Sequence, residues 1–106
     1  MYLSTEGSIN FNHVTEAQLR EAFRDDKGRG SFIILSRDDT NFIQASSDVT
    51  GFDVEYCEGN SHFRVDGPYA KGRVEQAFLD YLNSDERWRT EFPWAKEEPK
   101  PWWKFW

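Results

Sequence analysis

Hydrophobic and polar residues alternate most regularly over Phe52-Asp53-Val54-Glu55-Tyr56-Cys57, and again over His62-Phe63-Arg64-Val65-Asp66. Successive side chains of a strand point to opposite faces, so Phe52, Val54 and Tyr56 share one face and Asp53, Glu55 and Cys57 the other. Glu58-Gly59-Asn60-Ser61 lies between the two runs and carries a Gly-Asn hairpin signal. Closing the turn on Gly59-Asn60 sets Tyr56 opposite Phe63, Val54 opposite Val65, Glu55 opposite Arg64 and Cys57 opposite His62. A one-residue slip would spoil the apolar and the charged pairs together, so the register is well specified.

The rest of the pattern is laid out around this hairpin. Residues 8–12 alternate weakly and predict a short edge strand or an extended lead-in. Thr15-Glu16-Ala17-Gln18 predicts a capping box, followed by Leu19, Ala22 and Phe23 at helical spacing, with Gly28 and Gly30 as the stop. Residues 31–36 are a short run rich in β-formers, expected to be a central strand covered on both faces. Residues 37–40 predict a turn, 41–46 the return strand, and 47–51 a polar connection into the hairpin. Gly67 and Pro68 are expected to break the fourth strand. From Lys71 the period becomes 3.6: Val74, Ala77, Phe78, Tyr81 and Leu82 form the most regular amphipathic stripe in the chain, and Asn83 is its expected end. Ser84-Asp85-Glu86-Arg87 predicts a second helix start, with Trp88 and Phe92 turned inward and Pro93 as the stop. The expected fold is α+β: one domain over residues 1–96, with a four-stranded antiparallel meander, an N-terminal helix and a C-terminal amphipathic helix packed on the sheet. Residues 97–106 form a Pro/Trp-rich tail.

Composition narrows the function classes. The 106 residues suit one domain, and 17% aromatic residues, with nine Phe and five Trp against one Met, mean that packing relies on rings. A net charge of -6 without a Lys/Arg cluster argues against a nucleic-acid surface and favours basic partners. The single cysteine, Cys57, excludes a disulfide framework or a zinc-type cluster. No basic and apolar leader and no span-length apolar run is seen, so a cytoplasmic protein without stable membrane insertion is expected.

Three groups of residues are candidates for chemistry or recognition. Asp53, Glu55 and Asp66 share the polar face of the hairpin, and Asp38 and Asp39 sit at a turn. Together they predict an acidic recognition surface, ahead of acid/base catalysis, for which burial would have to separate their pKa values. Cys57 opposite His62 is the arrangement of an activated thiol, but neither an orienting group nor an oxyanion hole is signalled. A small enzyme using this pair is therefore the last alternative, and no catalytic residue, metal or cofactor is expected. Trp102, Trp103, Phe105 and Trp106, with Lys104 among them, follow two prolines that favour extended backbone. Folding back over an open side of the sheet ranks first for them, ahead of anchoring a partner protein or a neighbouring copy in a homodimer, and ahead of a membrane interface. Trp102, Trp103 and Trp106 are the tail's partner-binding candidates.

Phe42-Ile43-Gln44-Ala45, Gly51-Phe52 with Glu55-Tyr56, Val74 with Ala77-Phe78 and Tyr81-Leu82, and Trp88-Arg89 with Phe92 and Trp94 resemble small bacterial proteins of the immunity type, as found in contact-dependent and polymorphic toxin systems. The resemblance covers residues 31–94 and rests mostly on core aromatics. It implies a small α+β domain that binds and blocks a cognate toxin, without catalysis or cofactor. It carries over no functional residues, because such surfaces are partner-specific, and the Trp-rich segment from Pro101 departs from the pattern. The expected partner is thus a basic toxin domain. The alternative is a self-associating structural protein whose tail docks on a neighbouring subunit.

Overall fold

The central hairpin forms in the register that its side chains predict. Strands β5 (Gly51–Glu58) and β6 (Ser61–Tyr69) pair Val54 with Val65, Glu55 with Arg64, Tyr56 with Phe63 and Cys57 with His62. Gly59 takes φ 60°, the left-handed position that a type II′ turn gives to a first-position glycine. The computed structural model describes residues 1–97. Of the expected tail 97–106, Glu97 ends a strand, and 98–106, with the candidates Trp102, Trp103 and Trp106, lie outside the described residues.

The remaining elements extend this hairpin into one α+β domain. In chain order they are β1 (Tyr2–Thr5), β2 (Asn10–Phe11), α1 (Glu16–Arg24), α2 (Asp26–Arg29), β3 (Phe32–Ser36), β4 (Asn41–Asp48), then β5 and β6, α3 (Lys71–Leu82), α4 (Trp88–Glu91) and β7 (Ala95–Glu97). The sheet is antiparallel with seven strands, not the expected four, in the order β2-β1-β3-β4-β5-β6-β7. The consecutive run β3 to β6 is the predicted meander. The strands that periodicity did not reveal are added at its two sides. β1 carries a single fully apolar core residue, Leu3, beside Thr5, whose buried hydroxyl donates to the Ile9 carbonyl. β7 is exposed throughout and is held by its pairing to His62, Phe63 and Arg64.

Among the described residues, helices cover one face of the sheet. Leu3, Ile33, Leu35, Ile43, Ala45, Val54 and Tyr56 point into a core closed by Leu19 and Phe23 of α1 and by Val74, Ala77, Phe78 and Tyr81 of α3. Phe23 meets Phe78 edge-on at 5.1 Å, and Trp88 meets Tyr56 edge-on at 4.7 Å. Burial lifts the Tyr56 and Tyr81 hydroxyls above their ordinary pKa. β3 is an interior strand as predicted, but it is covered on one face: Ile33 and Leu35 are fully buried, whereas Phe32 and Ile34 are half-buried on the other.

Local signals fared unevenly. The capping box of Thr15 and Gln18 forms in both directions. The glycines do not simply stop α1, because the chain makes a further turn, α2, that contains Gly28 and is closed by Gly30 at φ 73°. That turn places Arg29 in the interior, where it donates to the carbonyls of Ala22 and Phe23 at 3.0 and 2.6 Å. Arg29 thereby satisfies the open C-terminal end of α1 from outside the helix. Gly67-Pro68 does not break β6, which continues to Tyr69. β7 pairs only as far as Arg64, so beyond that point the strand is an edge and tolerates a residue without an N–H. The helix expected from Ser84 begins only at Trp88. Ser84 has φ 58°, and the Asp85 carboxylate accepts from the Arg87 N–H instead of capping a helix.

Candidate functional site

Among the described residues, nothing covers the face of the sheet opposite the helices, and the alternation of each strand decides what it presents. Cross-strand pairing builds two rows there. Tyr2, Ser36, Phe42, Cys57, His62 and Glu97 form one row, and Ser4, Ile34, Gln44, Glu55, Arg64 and Ala95 the next. The two sides of this face differ in chemistry. Over β1, β3 and β4 it sets Tyr2, Phe32, Ile34 and Phe42 among the uncharged Ser4, Ser36 and Gln44. Over β5, β6 and β7 it is charged.

In the charged half, Arg64 Nε donates to Asp66 Oδ1 at 2.9 Å. That bond and the Asp66 charge, with Glu55 and Glu97 nearby, hold the guanidinium above its ordinary pKa. His62 lies between two carboxylates, with Nε2 3.1 Å from Glu55 Oε2 and Nδ1 3.2 Å from Glu97 Oε2. A neutral imidazole donates from one nitrogen only, so both contacts are hydrogen bonds only in the protonated ring. Asp53 accepts from the Gly67 N–H at 2.6 Å beside the β5–β6 register shift, so one of its oxygens is committed to the backbone. Asp66 remains 77% exposed. A small hollow of about 60 Å³ is lined by Ser46, Asp53, Val54, Glu55 and Arg64.

The expected single acidic surface is therefore divided. Asp53, Glu55 and Asp66 come together, joined by Glu97, and are interleaved with Arg64 and His62. Asp38 and Asp39 are elsewhere, at the β3–β4 turn. Asp38 Oδ1 accepts from the N–H groups of Thr40 and Asn41, both at 2.9 Å, and the Asn41 side chain adds to these. Those donors hold the Asp38 carboxyl below the ordinary aspartate range, the Thr40 N–H contributing most. Asp38 is thus first a turn-forming residue. Asp39 lies beside it on the rim of a second hollow, about 420 Å³, shared with Tyr2, Ile34, Arg37, Phe42 and Gln44.

Cys57 and His62 are cross-strand neighbours as predicted, but they point their polar atoms elsewhere. The Cys57 thiol donates to the Gly59 carbonyl at 3.5 Å, and both ring nitrogens of His62 face carboxylates. Among the described residues, no group of three or more His, Cys, Asp or Glu is placed to hold a metal ion, and no helix is long and apolar enough to cross a membrane.

Sequence reasoning missed Glu97, because nothing in Ala95-Lys96-Glu97 signals a strand, and it missed the apolar half, because Phe32, Ile34 and Phe42 pass for core. It also missed the ion pairs of Arg89, which lies across Trp88 at 4.5 Å. Burial disfavours the Arg89 charge, but the bonds to Glu58 and Glu86 outweigh it and raise its pKa. No protein-family model, curated protein or solved structure matches the chain.

Proposed function

We propose that this chain is a non-enzymatic, cytoplasmic binding domain that docks a basic protein partner on the charged half of its open sheet face. The immunity type, in which the partner is a toxin domain held inactive, is the form of this reading that the sequence resemblance favours. The observation that carries it is the distribution of charge on an uncovered sheet. Asp53, Glu55, Asp66 and Glu97 lie there against Arg64 and His62. Carboxylates at the rim of an interface steer encounter with a basic surface and suppress wrong partners, more than they add affinity. Asp66 and Glu97 are the residues with most to offer, being the more exposed, whereas Asp53 and Asp38 already serve the backbone.

The test is capture by the tagged full chain and by its Asp66→Lys and Glu97→Lys double variant from source cells, at low and high salt. A basic protein retained by the wild type at low salt and lost from the variant is the expected result. With that protein in hand, the variant should associate more slowly and with a flatter salt dependence. Equal retention by both chains would overturn the assignment of this face.

A further inference from the structure

On β1, β3 and β4 a slot opens between two rings. Tyr2 and Phe42 stand in one cross-strand row with Ser36 between them, so the rings are two strand spacings apart, about 10 Å, over a side chain too small to fill the gap. The neighbouring row sets Ile34 between Ser4 and Gln44. Together these residues line a hollow of about 420 Å³, with Asp38 and Asp39 at its rim. Tyr2 is 42% exposed, so that wall of the slot is accessible. The hollow is rich in acceptors, with the Asp39 carboxylate, the Gln44 side-chain carbonyl and the Ser36 hydroxyl. The Asp38 carboxylate is taken up by Thr40 and Asn41, which leaves Asp39 to meet a ligand. Arg37 is the cation of the lining, and its guanidinium lies over the Tyr81 ring at 4.5 Å, on the side of α3.

We propose that this slot takes an arginine side chain of the basic partner protein. The inference rests on the binding-domain reading and names the anchor residue which that reading lacks. Each part of an arginine side chain has its counterpart in the hollow. The guanidinium is flat and charged and stacks on the faces of aromatic rings, which Tyr2 and Phe42 supply. The aliphatic stem packs on apolar surface, which Ile34 supplies. The guanidinium N–H groups only donate, which suits Asp39, Gln44 and Ser36. A lysine would bring a compact, strongly hydrated charge in place of a plane that fits between rings. An apolar side chain would strip water from the Asp39 carboxylate and the Gln44 amide without replacing those hydrogen bonds. The hollow is continuous with the charged half of the face, because Phe42 pairs with Cys57 and Gln44 with Glu55. A partner whose basic surface lies over Glu55, Asp66 and Glu97 therefore has the slot beside it. An arginine held there is the desolvated anchor that rim carboxylates do not provide.

The test uses the full chain with isotope-labelled isoleucine and, as probe, acetyl-arginine methylamide, a single arginine without terminal charges. The expected result is a saturable shift of the Ile34 methyl signals, with Ile33 and Ile43 on the covered face unmoved. The citrulline counterpart keeps the shape without the charge, and the lysine counterpart keeps the charge without the plane. Each should bind about two- to fivefold more weakly than arginine. Asp39→Asn and, separately, Tyr2→Ala should weaken the arginine probe by a similar factor. Asp39 lies in an exposed turn, so its variant keeps the fold even where a change in β1 does not. No saturation, or equal saturation by all three probes, overturns the proposal. So does an Asp39→Asn chain that binds arginine as well as the wild type. Capture from source cells separates the two readings. A basic protein captured by a chain that ignores the probe would overturn the slot and leave the binding-domain reading standing. A chain that takes the probe but captures no basic protein would overturn that reading, and with it a protein as the source of the arginine.

Discussion

The two faces of one sheet divide the work of this molecule residue by residue. On β4, Ile43 and Ala45 are fully buried under the helices, while Phe42 and Gln44, which alternate with them, are partly exposed on the other side. On β5, Val54 and Tyr56 join the core while Glu55 and Cys57 face out. The covered face is a lattice of rings, and the open face is a row of carboxylates and cations beside an apolar hollow. Since the two sets share a backbone but hardly share contacts, substitutions on one face should affect stability and those on the other recognition, with little cross-talk.

The largest expected effect is Trp88→Ala. It removes a ring that is 1% exposed and touches Tyr56 and Tyr81. A loss of about 3–5 kcal/mol is expected by urea or thermal unfolding. A loss no larger than that of an open-face substitution would break the comparison. Next is Arg29→Ala, which leaves the Ala22 and Phe23 carbonyls without donors in the interior, for a cost on the order of 2–3 kcal/mol. Thr15→Ala breaks the capping box of α1 and should cost about 1 kcal/mol. Asp66→Lys, on the open face, should move stability by no more than about 0.5 kcal/mol while slowing capture of a basic partner. A stability loss comparable to that of Arg29→Ala would mean that this face is structural after all.

The smallest effects belong to the exposed carboxylates that hold the two turns at the ends of β4. Asp38 is held below its ordinary pKa by the N–H of Thr40 and the side chain of Asn41, and Asp48 by the hydroxyl and then the N–H of Thr50. A folded-state pKa below the unfolded value contributes stability that is present above the unfolded pKa and lost as pH falls through the folded one. The stability difference between wild type and Asp38→Asn should therefore be constant near neutrality and shrink below about pH 4. A difference independent of pH down to strong acid would show that hydrogen bonding by the neutral side chain is enough.

Legibility followed side-chain chemistry closely. The hairpin register could be read because apolar and charged pairs demand the same alignment, and α3 because its stripe has no competitor. β1 and β7 could not, because Leu3 is β1's one fully apolar core residue and β7 has none; backbone pairing leaves no trace in hydropathy. Arg29 between two glycines looks like a solvated loop residue, and only the path of α2 turns it inward. Asp53, Glu55 and Asp66 share the hairpin face that alternation assigns them, but their neighbour Glu97 depends on a strand, β7, that periodicity could not supply. The separation of Asp38 and Asp39 from that group follows from strand order, which local patterns do not encode.

One consequence of the strand order concerns synthesis. From β3 to β6 every strand lies beside its predecessor in the chain, so each emerging segment finds its neighbour already in place as translation proceeds. β1 is the exception, since it waits for β3 before it gains its place between β2 and the meander. For the time it takes to build β3 through β6, the face that carries Ile33, Ile43 and Val54 meets only part of its cover. α3 follows β6 after the single residue Ala70. The segment that closes most of that face therefore leaves the ribosome immediately behind the strand it follows, which keeps the interval of exposed apolar surface short.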